Sequence, residues 1–362
     1  MSKFMQKISR TFFELLVFLA RVKSFCLRKI AIRLKIGIGN IETLINGENF
    51  SSLKFNEISL YSEMQHFSYI DFVSRDPIGI TFQQRSHLQL TNTVLDSQTG
   101  ILFTVNGDII TESSSWSPEY LAATFQTKPF RIVPSTKLLD KRPAINLTSN
   151  GFYHWLNEDL PQYLHLNRNL VNPITVVSSK RPDFVNSFLK DFSIEYQEVP
   201  RFSHFEEINF ISKKSTVGWP HPKDVEVLKE FFKQYLNERT PGKRVYISRI
   251  SDSRSPLFEG TLINLLTNSG WKVLDLKYLS LVEQVAEIST AEVLMGVHGA
   301  GLSGVNWMKE GSKLIELGTD RFVRCFQRLA QINKIDYLRI NYKTDSEGLN
   351  IVKTKLQNLG YL

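Results

Sequence analysis

Between Arg244 and Ile340 short apolar runs alternate with stretches of helical spacing. Arg244–Ser248 (RVYIS), Trp271–Leu276, Val293–Val297, Lys313–Leu317 and Tyr337–Ile340 read as strands. Gly260–Asn268, Leu281–Ser289 and Arg324–Ile332 read as the helices between them. Strands that are apolar throughout are buried on both faces, so this pattern requires a parallel sheet with helices on each side. Such a sheet offers its ligand sites at the carboxyl ends of the strands.

The first half is read less regularly. The region from about 45 to 135 is strand-rich, with Phe55–Val73 mixing alternating and aromatic residues and Gly100–Thr111 forming two short strands around Asn106-Gly107. Phe152–Leu166 has helical spacing, with Pro161 predicting a kink or break. PITVVS (Pro173–Ser178) reads as a buried strand, Asp183–Phe192 as a helix and Glu195–Val199 as another strand. A second series opens near Ile208 with NFIS as a strand, and Lys223–Leu236 follows as a helix introduced by Pro220 and Pro222. There is no internal repeat and no low-complexity tract. A length of 362 residues with 42% hydrophobic content allows two cored domains, placed at 41–200 and 201–362 after a distinct segment 1–40.

Charge sets that first segment apart. Nine lysines and arginines stand there against Glu14 alone, so it carries the whole formal excess of +8 and the remainder is balanced. A balanced body gives no basic surface for nucleic acid. The apolar run Phe12–Ala20 is too short to span a bilayer, and no small-residue cleavage site follows it. A helix lying on an anionic membrane surface fits, with Phe12, Phe13, Leu16, Phe18 and Leu19 inserted; an amphipathic helix packed on the domain, or a disordered arm, is the alternative. Cys26 and Cys325, the only cysteines, give neither a disulfide framework nor a metal cluster. A reducing cytoplasm is the inference, and the sequons at Asn49 and Asn146 then carry no message.

Three groups of residues carry chemistry. In EVLMGVHGAGLSGVNWMKEGSKLIEL (Glu292–Leu317) a glycine turn separates a strand from a short helix, where Gly299 and Gly301 let a diphosphate approach the backbone and His298 can donate to it. A plain strand-to-helix turn fits those residues equally well. HGAG also matches the oxyanion loop of lipases, but the required G-x-S-x-G fails at Val305 after Ser303. Beside the turn, Arg249 and Arg254 can clamp a diphosphate, or merely cap a helix or pair with Asp252. Glu316 at a strand end can accept from ribose hydroxyls, or simply be solvated. In Tyr153–Pro161 (YHWLNEDLP) the spacing of four puts His154 and Glu158 on one helix face, a usable general base for a hydroxyl, while Asp159 reads otherwise as an exposed helix acid. An aromatic core stripe is the alternative there.

Taken together these segments resemble glycosyltransferase family 61, particularly its bacterial polysaccharide-biosynthesis members. GFYHWLNEDLP is similar to that family's tyrosine-histidine-tryptophan-leucine motif, KRVYISR to its isoleucine-serine-arginine segment, and GVHGAGLSGVNWMKEGSKLIEL to its most diagnostic stretch. The likeness runs over about residues 100 to 335. The chain departs from it at SPLFEGTLINLL, where Phe258 replaces an asparagine before Glu259, and Glu259 is left without an expected ligand role. The resemblance implies a GT-B architecture of two facing Rossmann-like domains and inverting transfer from a nucleotide-sugar donor to a glycan or lipid-linked glycan acceptor in surface polysaccharide synthesis. It implies that Ser248, Arg249, Arg254 and the turn His298, Gly299, Ala300, Gly301 and Leu302 hold the donor diphosphate. The histidine-tryptophan segment, with Glu158, His154 and Asp159, would face the acceptor. No D-x-D occurs in the chain, so no metal or other cofactor is expected. The leading expectation is a cytoplasmic enzyme on the inner face of the cell membrane; a catalytically silent nucleotide-sugar or glycan-binding partner of an assembly complex, and a serine hydrolase, are the other classes.

Overall fold

The computed structural model describes residues 86–104, 151–169, 175–178, 181–211, 220–237, 242–252, 254–344 and 347–362, with shorter pieces between 38 and 149. The segment 1–40, apart from the strand Ile38–Gly39, lies outside the described residues, as do Cys26 and Asn49. In the first half, Ser86–Asp96 (β1) is the centre of a mixed seven-stranded sheet, pairing antiparallel with Phe55–Ser59, with Ile101–Thr104 (β2) and with Phe202–Ile211. Ile109–Ile110 pairs antiparallel with β2, as the two short strands read from the sequence require, and Asn106-Gly107 lie outside the described residues. Ala144–Asn146 (β3), Thr175–Ser178 (β4) and Tyr196–Glu198 (β5) form a separate three-stranded parallel sheet. Phe202–Ile211 (β6) contains the NFI residues expected to open the second series, but it belongs to the mixed sheet, antiparallel to β1 and parallel to Thr136–Leu138. Its first residues alternate between partly and fully buried, as a strand covered on one face does.

One continuous helical rod joins β3 to β4. It comprises α1 (Phe152–His154), a single π turn (Trp155–Asp159) and α2 (Leu160–Asn169). Proline removes one ladder donor and its ring crowds the carbonyl four residues back. The rod widens there instead of breaking at Pro161: the Leu160 amide reaches five residues back to the Trp155 carbonyl. Wide turns of this kind gather at functional sites. Two more helices among the described residues follow, α3 (Asp183–Asp191) and α4 (Pro222–Phe232), the latter capped by His221, whose ring nitrogen accepts from the Lys223 amide.

The second half is a five-stranded parallel sheet of Lys243–Ile247 (β7), Lys272–Leu274 (β8), Ala291–Val297 (β9), Lys313–Gly318 (β10) and Asp336–Asn341 (β11). The strands run in the order β8-β7-β9-β10-β11, so the winding reverses between β7 and β9. Parallel sheets of this order bind ligands in the crevice at that reversal. Helices α5 (Glu259–Asn268), α6 (Leu281–Ile288) and α7 (Cys325–Ile332) and a 3-10 helix, Ala300–Trp307, lie between the strands. A final helix, α8 (Gly348–Asn358), was not read from the sequence; it buries Val352 and Leu356 on the sheet.

Apolar residues cover both faces of this sheet. Tyr246, Leu262, Met295 and Ile315 pack on one side with α8. On the other, Ile247, Leu294, Leu302 and Trp307 share a core with Trp155, Phe188 and Phe232 from the first half. Phe232 stands edge-on to Trp307 at 4.9 Å, and Trp155 edge-on to Phe188 at 5.1 Å. Among the described residues no helix is long and apolar enough to cross a membrane.

Candidate active site

The reversal point brings two of the sequence motifs together. Ile247 of β7 lies in register with Gly296 of β9, and two residues beyond each stand Arg249 and His298. Arg249 Nη1 donates to the His298 carbonyl at 2.6 Å and Nη2 to Asp252 Oδ2 at 2.7 Å. The glycines here serve proximity and not a sharp turn. Gly299 is extended, with φ 173°, and a Cβ on it would lie 2.7 Å from Arg249 Nη1. A Cβ on Gly301 would meet Ile247 and Leu276 at 3.0 and 3.1 Å. Ala300 begins the 3-10 helix; the Leu302 amide donates to the Gly299 carbonyl at 3.0 Å, which leaves the amides of Ala300 and Gly301 without an intrahelical acceptor.

The loop after β7 is pinned from below. Glu259, fully buried at the start of α5, accepts from the Arg249 amide at 2.6 Å, from Tyr246 Oη at 2.9 Å, and from Ser255 Oγ. Motif reading left this glutamate without a role; its place just before the predicted helix 260–268, ten residues after the arginine, was the available signal. Ser248 Oγ accepts from the Ile250 amide at 3.1 Å. Asp252 gathers both arginines, with the Arg254 amide at 2.9 Å and the Arg254 side chain at 3.5 Å. The Arg249 hydrogen bond, then the Arg254 amide, hold its carboxyl well below the usual range. Arg254 itself remains 73% exposed.

Glu316 is not at the surface, which corrects the reading of it as an acceptor for ribose hydroxyls. It is fully buried and engaged by protein donors: His298 Nδ1 at 2.8 Å, Tyr337 Oη at 2.8 Å, and Arg339, its register neighbour on β11. Arg339 also donates to the carbonyls of Thr319 and Arg321, so the buried ion pair ties down the edge loop after β10. The carboxylate therefore fixes the His298 ring from behind. Cys325, at the start of α7 in the field of Glu316, has its thiol pushed up to about 12, mainly by burial.

On the other side, His154 Nδ1 and Glu158 Oε1 meet at 3.1 Å on a partly exposed face of the rod, as their spacing indicates. Their neighbours turn inward. Trp155 is fully buried against Phe152, Phe184 and Phe188, so it serves the core and does not face an acceptor. Asp159 is likewise buried, not an exposed helix acid, and accepts from the Ser149 amide at 2.7 Å. Between the two constellations stand two buried rings. Tyr153 packs edge-on to His154 at 5.3 Å and to Phe326 at 5.5 Å, and Phe326 to His298 at 5.2 Å.

A chain of buried amides, invisible to motif reading, joins the rod to the glycine turn. Asn157, between His154 and Glu158, donates to the Tyr153 carbonyl at 2.8 Å and to Ser303 Oγ at 3.3 Å, and accepts from Asn306 at 2.8 Å. Asn306 accepts from Asn333 at 3.0 Å, and Asn333 from Lys229 at 3.2 Å. Ser303 is thereby fully buried and engaged by an amide, which leaves it ill placed as a hydrolase nucleophile. Among the described residues no three His, Cys, Asp or Glu side chains gather into a metal-ligand group.

Residues 152–315 match the family model described as Glycosyltransferase 61. They form a glycosyltransferase 61 domain. The domain begins at α1, takes in His154 and Glu158, and runs through Arg249 and His298 to β10. Over 97 residues the chain is 30% identical to the EGF domain-specific O-linked N-acetylglucosamine transferase of Gallus gallus. That similarity covers 25% of this chain and 18% of the relative, so the chain spans well under two thirds of that protein.

Proposed function

We propose that the glycosyltransferase 61 domain transfers a sugar, with inversion and without metal, from a nucleotide-sugar donor to a glycan acceptor. The observation that carries this reading is the Arg249 guanidinium seated on the His298 carbonyl at the β7/β9 reversal, with the His154–Glu158 pair two rings away. Two of five guanidinium N–H groups serve the protein, which leaves others for a diphosphate. Arg254, His298 and the first amides of the 3-10 helix add to the positive side. In the transfer, Glu158 takes the proton of the acceptor hydroxyl as its oxygen bonds to the anomeric carbon. The bond from that carbon to the phosphate oxygen breaks, and its electron pair leaves with the nucleoside diphosphate. His154 orients Glu158, and Glu316 acts through His298.

The wider setting belongs to the same proposal: two facing Rossmann-like lobes of the GT-B kind, surface polysaccharide as the product, and residues 1–40 holding the enzyme to an anionic membrane face. The named relative makes N-acetylglucosamine donors the first to try. A thermal-shift screen of nucleotide sugars, with and without EDTA, should find one that stabilises the protein equally in chelator. Glu158→Gln should abolish turnover of that donor while keeping its binding; turnover close to that of the parent would remove Glu158 from the role. Loss of turnover also separates an enzyme from a silent binding partner.

A further inference from the structure

Four of the six exposed large apolar side chains among the described residues, Ile250, Leu257, Tyr278 and Val323, lie in loops at the carboxyl ends of β7, β8 and β10. Tyr278 differs from the rest in how it is held. It ends a short 3-10 turn, Leu276–Tyr278, whose first residues are capped by Asp275 accepting from the Lys277 amide at 3.1 Å. Gln284 of α6 donates to the carbonyls of Leu276 and Leu279 at 3.1 and 3.0 Å, and the Ser280–Glu283 capping box closes the far side. Ser251 Oγ donates to Asp275 at 2.6 Å, fastening the turn to the Arg249 loop. Leu276 stands where a Cβ on Gly301 would touch it, fastening the turn to the glycine motif. The result is a braced backbone presenting a ring that is 73% exposed, with Lys277 Nζ 5.9 Å from its centroid.

We propose that Tyr278 is the stacking platform for the nucleobase of the donor. This rests on the reading of the β7/β9 crevice as the diphosphate site. A nucleoside diphosphate held there by its phosphates must lay its base over a flanking loop, and the 275–279 turn is the one fastened to both diphosphate-holding motifs. A pre-braced aromatic loses little freedom on binding, and an exposed face accepts any base, because every base has a π-face. Lys277 beside it, and Arg254 on the loop that Ser251 fastens to the turn, suit a polyanion.

The test measures binding of UDP, GDP, CDP and ADP, and of inorganic pyrophosphate, to the full chain and to its Tyr278→Ala and Tyr278→Phe variants by calorimetry. The nucleotide that the parent binds best should bind Tyr278→Ala about tenfold or more weakly, as loss of one stacked base does. Tyr278→Phe should match the parent, and pyrophosphate affinity should be the same in all three. Parental nucleotide affinity in Tyr278→Ala overturns the platform and leaves the diphosphate site standing. So does an equal loss for pyrophosphate, which marks a disturbed loop. A parent that binds neither nucleotide nor pyrophosphate overturns the crevice reading and the platform with it.

Discussion

Gly299→Ala isolates the contact on which the proposed diphosphate site depends. The new methyl group would sit 2.7 Å from Arg249 Nη1 and 3.1 Å from Cζ, and comfortable contact needs about 3.5 Å or more. The guanidinium must therefore retreat by about 0.8 Å, which stretches its 2.6 Å bond to the His298 carbonyl to about 3.4 Å, beyond the ordinary hydrogen-bond range. The backbone at Gly299 is extended, so alanine adds no conformational strain. Arg249 is a flexible chain that keeps Asp252, and the fold should survive with a modest fall in Tm. Donor binding should not. A hydrogen bond from a charged group contributes about 1.5–3 kcal/mol, which corresponds to roughly 10- to 150-fold in Kd for the nucleoside diphosphate. Calorimetry on Gly299→Ala, Arg249→Ala and the double variant forms a cycle. With Arg249 already truncated, the added methyl should cost under about 0.5 kcal/mol. Parental affinity in Gly299→Ala, or losses that add in full, would refute the reasoning.

Glu316→Ala leaves Arg339 buried without its counter-charge and should lower stability by about 3–5 kcal/mol. Adding Arg339→Met should recover most of that in urea unfolding, and a parental midpoint for Glu316→Ala would contradict the pairing. Cys325 titrates near 12 in the folded chain against an ordinary value near 9, because burial disfavours the thiolate. Its contribution to stability is thus full below about pH 9 and is lost as pH rises towards about 12, since only the unfolded chain ionises in between. Iodoacetamide at pH 8 should accordingly modify Cys325 only on unfolding; rapid labelling of the native protein would show the thiol to be accessible and ionised.

The sequence carried the parallel sheet well, because its strands are short, mainly apolar runs and β7, β8 and β10 are each followed by a helix of clear period. The strand at NFIS misled for the converse reason: Phe202–Ile211 looks buried at its end, and only its partner on β1 shows that it runs in another sheet. Pro161 announced an irregularity but not its form, since a widened turn and a break begin from the same missing amide. At the candidate site, spacing alone placed His154 with Glu158 and put Arg249 beside His298. It could not tell that Trp155 and Asp159 point inward, because neighbouring helix positions differ only in which way the rod is turned. Glu316 was misplaced because its donors, Tyr337 and Arg339, come from a later strand. Asparagines 157, 306 and 333 have no signature at all; they become a group only when three separate elements converge.

That convergence has a mechanical meaning. With the wide turn, the 3-10 helix and α7 locked by one run of amides, the proposed proton acceptor and the proposed diphosphate clamp share a chassis, and neither can drift without dragging the other. Adjusting to acceptors of different size is then left to the outer walls, while the working separation stays constant from one substrate to the next.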